Sequence, residues 1–355
     1  MGVLVSILVL SVLVIVHELG HFLTARLFGV KVEEFGLGLP IGVTKPWFAK
    51  KYGETVYSFY PVFLGGFVKM KGQNDTDPSE KSYDSDSYNS KNPYQKIAIL
   101  FAGPFANFLF AFVLYFGLTL HGVSMLKPVV GQIAPNSAAL DAKLQTNDEI
   151  VSINSQKVSY WNEIPDIVAQ NGSSTMTIDV VRDGKRKLIV LIPREVGTKN
   201  IFGEEIKKYM IGISPSGASE VVYYGFFESF QKSFEQTYQA SKFIAQGIQK
   251  LFTGVISMQN VGGVVSIVQV TSDASAHGVL SLVFLAALIS VNLGVVNLLP
   301  IPALDGGHII FNLYEALFRK APNEMVAIRL TYAGWALLFG LMLLGLYNDI
   351  HRLVG

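Results

Sequence analysis

Four stretches of this chain contain no Asp, Glu, Lys or Arg: residues 1–17, 97–126, 274–304 and 330–348. A helix needs roughly 20 apolar residues to cross a bilayer core, and each stretch is about that long. Within lipid, backbone N–H and C=O groups must be satisfied inside the protein, which restricts open spans to helices. The four stretches therefore predict a multi-pass α-helical membrane protein. Its four transmembrane segments are expected near 3–26, 96–121, 279–299 and 330–347. Buried core helices of a water-soluble protein are rarely so long and so free of charge. The first stretch has no basic start and no small-x-small cleavage site, and polar His17, Glu18 and His21 continue its helix. It reads as a retained transmembrane helix and not as a signal peptide.

Only 15% of the 355 residues are charged, against about a quarter in globular chains. Lys and Arg total 28 and Asp and Glu 27, a net charge of +1. That balance argues against a nucleic-acid partner, which calls for a basic surplus or stripe. There is no Cys, so disulfides, thiolate metal sites and a Cys nucleophile are excluded.

Composition divides the chain into four parts. Residues 1–126 carry two membrane segments with a mixed stretch between them. In that stretch, 55–72 reads as strand, turn, strand, a membrane-associated β-hairpin turning near Leu64-Gly65-Gly66. Residues 73–92, rich in Ser and Asp, read as a solvated flexible loop. Residues 127–222 alternate short strands with turn signals such as Asp183-Gly184 and form a soluble α+β domain. Residues 223–273 hold an amphipathic helix over 223–252, suited to a membrane surface or to packing. Residues 274–355 carry the other two membrane segments. The short loops at 26–96 and 305–329 hold clustered Lys and Arg, which places them on the cytoplasmic side. The 127–222 domain and both termini then lie on the extracytoplasmic face.

His17-Glu18-Leu19-Gly20-His21 has the pattern H-E-x-x-H. On a helix, positions i and i+4 share a face, so both imidazoles can hold one metal ion. Glu18 is placed to act as general base toward water. Ionisable groups inside a membrane helix are expensive and mark function. A catalytic zinc takes three protein ligands, and Asp305 is the leading candidate for the third. It follows the long uncharged block in Asn297-Leu298-Leu299-Pro300-Ile301-Pro302-Ala303-Leu304-Asp305-Gly306-Gly307-His308. Depth agrees. At ~1.5 Å per residue His17 lies roughly 20–24 Å along its segment, toward the cytoplasmic side, where Asp305 also falls. His308 stands as the alternative ligand, or as a supporting or structural residue.

The order HELGH, then NLLPIPALDGGH, resembles the site-2 protease family of intramembrane metalloproteases, and within it the bacterial regulator-of-sigma-E type. Gly103-Pro104-Phe105-Ala106-Asn107 and Gly65-Gly66-Phe67-Val68-Lys69-Met70 extend the resemblance over nearly the whole chain. The resemblance implies Zn2+ held by His17, His21 and Asp305, with Glu18 as catalytic base. It implies that Asn107 or Asn297 positions substrate or an oxyanion; helix–helix hydrogen bonding is the alternative role for both. The Gly65-Gly66 strand would pair with an extended substrate backbone. Residues 129–154 resemble a PDZ domain, with Lys143 and Asn147 where that family usually has Gly. Such a domain either binds a peptide by strand addition or restricts access by bulk.

The implied partners are single-pass transmembrane substrates of the anti-sigma-factor or remnant-signal-peptide class, and membrane lipid. The implied location is the bacterial cytoplasmic (inner) membrane. A metal carrier and a non-catalytic receptor are the competing readings. A carrier has no need of Glu18, and its usual paired broken helices are missing from the sequence.

Overall fold

The computed structural model describes residues 2–40, 45–73 and 82–354. In chain order its elements are α1 (Gly2–Leu27), β1 (Val32–Leu39), β2 (Phe48–Tyr52), β3 (Thr55–Phe59), β4 (Val62–Met70), α2 (Pro93–His121), β5 (Val123–Leu126), β6 (Val130–Ile133), α3 (Ala138–Asp141), β7 (Glu149–Ile153), β8 (Gln156–Lys157), α4 (Glu163–Asn171), β9 (Met176–Arg182), β10 (Lys185–Leu191), β11 (Arg194–Lys199), β12 (Glu205–Met210), β13 (Ile213–Pro215), β14 (Ser219–Val222), α5 (Phe226–Phe252), α6 (Val264–Ala276), α7 (Val279–Asn297), α8 (Asp305–Phe318) and α9 (Glu324–Val354). Among the described residues α1, α2, α7 and α9 are long and apolar enough to cross a membrane. The chain divides into two compact units. One holds residues 2–118, 230–251 and 257–354, and the other holds 119–229 and 252–256.

In the first unit, α1 buries Ser6, Leu13, His17 and His21, while Leu4, Leu8, Leu19 and Leu23 point outward. Small residues bring its neighbours close. A Cβ on Gly20 would strike the Ala102 carbonyl, and one on Gly103 would strike the His21 ring. On α7, Ala287, Ser290, Val291 and Gly294 form a buried stripe. Gly294 accommodates the Phe108 ring of α2, and Ser290 Oγ donates to the Asn107 carbonyl at 2.8 Å. Helices in lipid associate by such close packing and by interhelical hydrogen bonds. The α6 helix packs on α1, α7 and α9. Its first turn is capped from α9, where Asp349 Oδ2 accepts from the N–H groups of Val265 and Ser266 at 3.0 and 3.1 Å. On α5, Ala240 and Ile244 pack against the α2–α7 core, while Phe227, Phe234 and Tyr238 are exposed.

The expected hairpin is corrected to a four-stranded sheet of order β2-β3-β1-β4. β1 runs parallel to β3 and antiparallel to β4. The hairpin of this region is β2–β3, turned at Gly53 with φ +61°. β4 continues through residues 64–66 as strand, with Gly66 opposite Leu37. The glycine at 66 serves close approach: a Cβ there would meet Val14 of α1 and the Gly36 carbonyl. Glycine in a strand marks such an approach as readily as it marks a turn.

Of the expected flexible loop, 74–81 lies outside the described residues. Residues 82–92 are organised, contrary to that expectation. Ser87 Oγ donates to the carbonyls of Ser82 and Asp84 at 2.7 and 2.8 Å. Lys71 Nζ reaches Asp84 and Asp86 at 2.8 and 2.7 Å. Their pairing holds both carboxyls below the ordinary aspartate value and raises Lys71.

The second unit has a sheet of order β10-β9-β7-β8 and three two-stranded pairings, β11–β12, β13–β6 and β14–β5. Its core is aliphatic, built on Val130, Ile150, Ile153, Met176, Ile178 and Val180. Arg182 grips the fully buried Asp148 through two hydrogen bonds of 2.6 Å. Lys143 and Asn147 have φ of +59° and +68°, a region glycine enters most readily.

Candidate metal centre

Two helices and a broken connection bring the site together. His17 and His21 leave α1 one turn apart and turn inward. The chain from α7 to α8 is broken by Pro300 and Pro302, which cannot continue a helix. It folds tightly onto the start of α8. A Cβ on Gly306 would strike the Leu298 and Leu299 carbonyls, and one on Gly307 the Ile301 carbonyl. That close fold delivers Asp305, the first residue of α8, to the two imidazoles.

The convergence is specific at the atomic level. His17 Nε2 and His21 Nε2 lie 3.1 Å apart. Asp305 Oδ2 lies 3.2 Å from the first and 3.5 Å from the second. Ligand atoms about 2.0–2.1 Å from a tetrahedral zinc are separated by about 3.3 Å, so the triangle has the right edge. Asp305 Oδ2 is buried and has no hydrogen-bond partner, an arrangement that a cation satisfies. His21 Nδ1 donates to the Ile99 carbonyl at 2.8 Å. A carbonyl only accepts, so the proton sits on Nδ1 and Nε2 presents its lone pair toward Asp305 and His17. Two neutral imidazoles and a carboxylate suit Zn2+. Among the described residues this is the one cluster of three such donors.

The three donors open on a cavity of about 520 Å³. Glu18, Asn107, Asn297, Gly65, Gly66 and His308 all line it. Every site residue expected from the sequence is thus gathered here, and the His-His-Asp cluster has Asp305 in place of His308. Asn107 makes a contact between helices, the alternative role expected for it. It is fully buried, and its side chain lies against His17 Nδ1 at 3.1 Å. The remaining histidines lie elsewhere: His121 ends α2, His277 Nδ1 sits 2.7 Å from the Asp273 carbonyl, and His351 packs beside Tyr347.

Sequence reading missed Tyr88, Asn89, Asn312 and Trp335, which also line the cavity. Asn312 donates to the His308 carbonyl at 2.8 Å and to the Tyr88 hydroxyl at 3.4 Å. One signal for it exists. Asp305, His308, Asn312 and Glu315 recur at helical spacing and mark one polar stripe on α8. Glu315 ends the stripe in an ion pair with Lys96 of α2 at 3.2 Å.

Comparison with known proteins places this geometry in a family. The family model described as Peptidase family M50 matches residues 5–341. A protein of Campylobacter jejuni, provisionally named a zinc metalloprotease, is 43% identical over 99% of this chain and 94% of its own length. A Helicobacter pylori protein with the same provisional name is 38% identical over 99% of both chains. The regulator of sigma E protease of Haemophilus influenzae is 29% identical over 98% of both. A family model spanning most of the chain, with a His-His-Asp cluster beside Glu18, leads to one conclusion: the chain belongs to peptidase family M50, the site-2 protease family, and is a metalloprotease.

Proposed function

We propose that this chain is an intramembrane zinc endopeptidase that carries out regulated intramembrane proteolysis on single-pass membrane proteins. One observation carries the reading: His17, His21 and Asp305 present three metal-ligand atoms 3.1–3.5 Å apart, two of them from a helix long enough to span a membrane. His17, His21 and Asp305 would hold the metal. A bound Zn2+ supplies Lewis-acid polarisation of the scissile carbonyl and makes water a stronger nucleophile.

The chain's own residues do the rest. Glu18 accepts the proton of the attacking water and returns it to the leaving nitrogen, so the amide C–N bond breaks as a C–O bond forms. A helical substrate hides its amides in intrahelical hydrogen bonds, so it must unwind locally. β4 lies at the edge of its sheet, and Gly65 and Gly66 line the cavity. Their lack of side chains lets an extended substrate backbone approach and add as a strand. Asn297, at the end of α7 and on the cavity wall, is suited to a substrate carbonyl.

Substrates are of the anti-sigma-factor or remnant-signal-peptide class, in the bacterial cytoplasmic (inner) membrane. The clustered Lys and Arg of 26–96 and 305–329 support a cytoplasmic site and an extracytoplasmic 127–222 unit. That unit is PDZ-like, and it either binds a peptide or restricts access. The test compares wild type with Glu18→Gln on a model single-pass substrate, with bound metal measured in both. Cleavage by wild type alone, with one zinc per chain in each, is the expected result. Equal cleavage by both proteins would remove Glu18 from the mechanism.

A further inference from the structure

The two imidazoles of the cluster have unlike outer partners. His21 Nδ1 donates to a backbone carbonyl, that of Ile99, and this partner has one possible role. His17 Nδ1 faces the side-chain amide of Asn107, which offers a donor on one side and an acceptor on the other. As the bonds stand, Asn107 Nδ2 lies 3.1 Å from His17 Nδ1 and donates to it, while Asn107 Oδ1 is buried with no partner. His17 then carries its proton on Nε2, directed at His21 Nε2 3.1 Å away. A second buried oxygen, Asp305 Oδ2, also has no hydrogen bond.

A change of tautomer gives Asn107 Oδ1 a donor and leaves Asp305 Oδ2 to a cation. If His17 carries its proton on Nδ1, a half-turn of the Asn107 amide brings Oδ1 to accept it. Nε2 is then a free lone pair beside Asp305 Oδ2 and His21 Nε2. Amide nitrogen and oxygen are exchanged by that half-turn without moving any other atom. The backbone of Asn107 is held in place, since its carbonyl accepts from Ser290 Oγ of α7 at 2.8 Å. The α2 helix presents Ile99, Gly103 and Asn107 at successive i, i+4 positions on one face. Ile99 receives His21, Gly103 makes room for its ring, and Asn107 receives His17.

We infer that Asn107 is a positioning residue for His17, its Oδ1 accepting from Nδ1–H and so fixing the tautomer whose Nε2 holds metal. The inference rests on the zinc peptidase reading. It assigns Asn107 a place behind the ligand, in line with the helix–helix hydrogen bond the sequence offered as the alternative to a substrate or oxyanion role. Outer partners of metal-bound histidines fix ring orientation, and their loss costs about 10–100-fold in metal affinity.

The test is the zinc dissociation constant of the full-length protein, measured by chelator competition with no substrate present, in a Glu18→Gln background. Asn107→Leu removes the acceptor at similar size. Asn107→Asp keeps an oxygen in its place. Zinc binding about 10–100-fold weaker in Asn107→Leu, with Asn107→Asp within about threefold of the parent or tighter, is the expected result. With Glu18 intact, added zinc would then restore cleavage by Asn107→Leu. Unchanged zinc affinity in Asn107→Leu with a raised KM for substrate would overturn the inference and return Asn107 to the substrate. Equal weakening by both substitutions would also overturn it, as a packing effect. If Asn107→Leu does not fold, Asn107→Asp decides alone, and a loss above about tenfold counts against the inference. Absence of zinc from the Glu18→Gln parent would overturn both the inference and the peptidase reading, whereas an unchanged constant in Asn107→Leu leaves that reading intact.

Discussion

The two units of this chain differ in how they place polar residues. The 119–229 unit is organised as water-soluble proteins are: Ile150, Ile153, Met176, Ile178 and Val180 fill its centre, and its charges face out, apart from the paired Asp148. In the unit with the membrane helices, α1 turns Leu4, Leu8, Leu19 and Leu23 outward and keeps His17, His21 and Ser6 inside together with Val9, Leu13, Phe22 and Ala25. Its helices pack closely at Gly20, Gly103 and Gly294. Water drives apolar side chains inward in the first case. Lipid tails are as apolar as Leu, so the second unit relies on close backbone approach and buried hydrogen bonds. The chemistry sits there because polar side chains already face inward.

The largest effect that sharpens this contrast should come from adding one methyl group to α2. Gly103→Ala puts a Cβ into the His21 ring, and His21 must leave its bond to Ile99. Zinc affinity should fall by more than about 100-fold, beyond the range for losing an outer partner alone. Gly117→Ala on the same helix meets no atom within 4 Å. It should leave zinc binding unchanged and stabilise the helix by about 0.5–1 kcal/mol. Equal zinc binding in the two variants would break the account of Gly103.

Next in size is a cavity in the aliphatic core. Ile150 is fully buried, and Ile150→Ala should destabilise the 119–229 unit by about 2–5 kcal/mol. Thermal unfolding would report it, and zinc affinity should not move. A joint loss of core stability and zinc binding would show that the metal cluster depends on that core.

The smallest effect concerns pH. Asp84 and Asp86 are held below their ordinary value of 3.8, chiefly by hydrogen bonds from Lys71. A lowered carboxylate stabilises the fold fully above its unfolded value and loses that stabilisation as pH falls through the folded one. Exchange protection of the Lys31 and Tyr88 N–H groups, which donate to the Asp86 and Lys71 carbonyls, should therefore fall below about pH 4. Lys71→Met should lower it at neutral pH. Protection independent of both would show that the Ser87 hydrogen bonds alone hold 82–92.

Much of the site was legible because its chemistry is carried by side chains at fixed spacing. HELGH required a helix face, and the uncharged block before Asp305 required depth, so the donors could be matched by level in the membrane. The four membrane helices were legible for the same reason. Pairing was less so. Gly65-Gly66 reads as a turn when strands are assigned along the sequence, and the interleaving of β1 between β3 and β4 depends on contacts with no local signature. For Asn107 the sequence left two roles open, because an apolar helix in lipid has no polar face to show which side meets α1.

The central claim is that His17, His21 and Asp305 hold one zinc, with Glu18 beside it as base and not as ligand. Metal content of the purified full-length protein tests it most directly, compared across wild type, Glu18→Gln and Asp305→Ala. One zinc per chain in the first two and a large loss in the third is the predicted result. Zinc retained equally by Asp305→Ala, or lost from Glu18→Gln, would contradict the assignment.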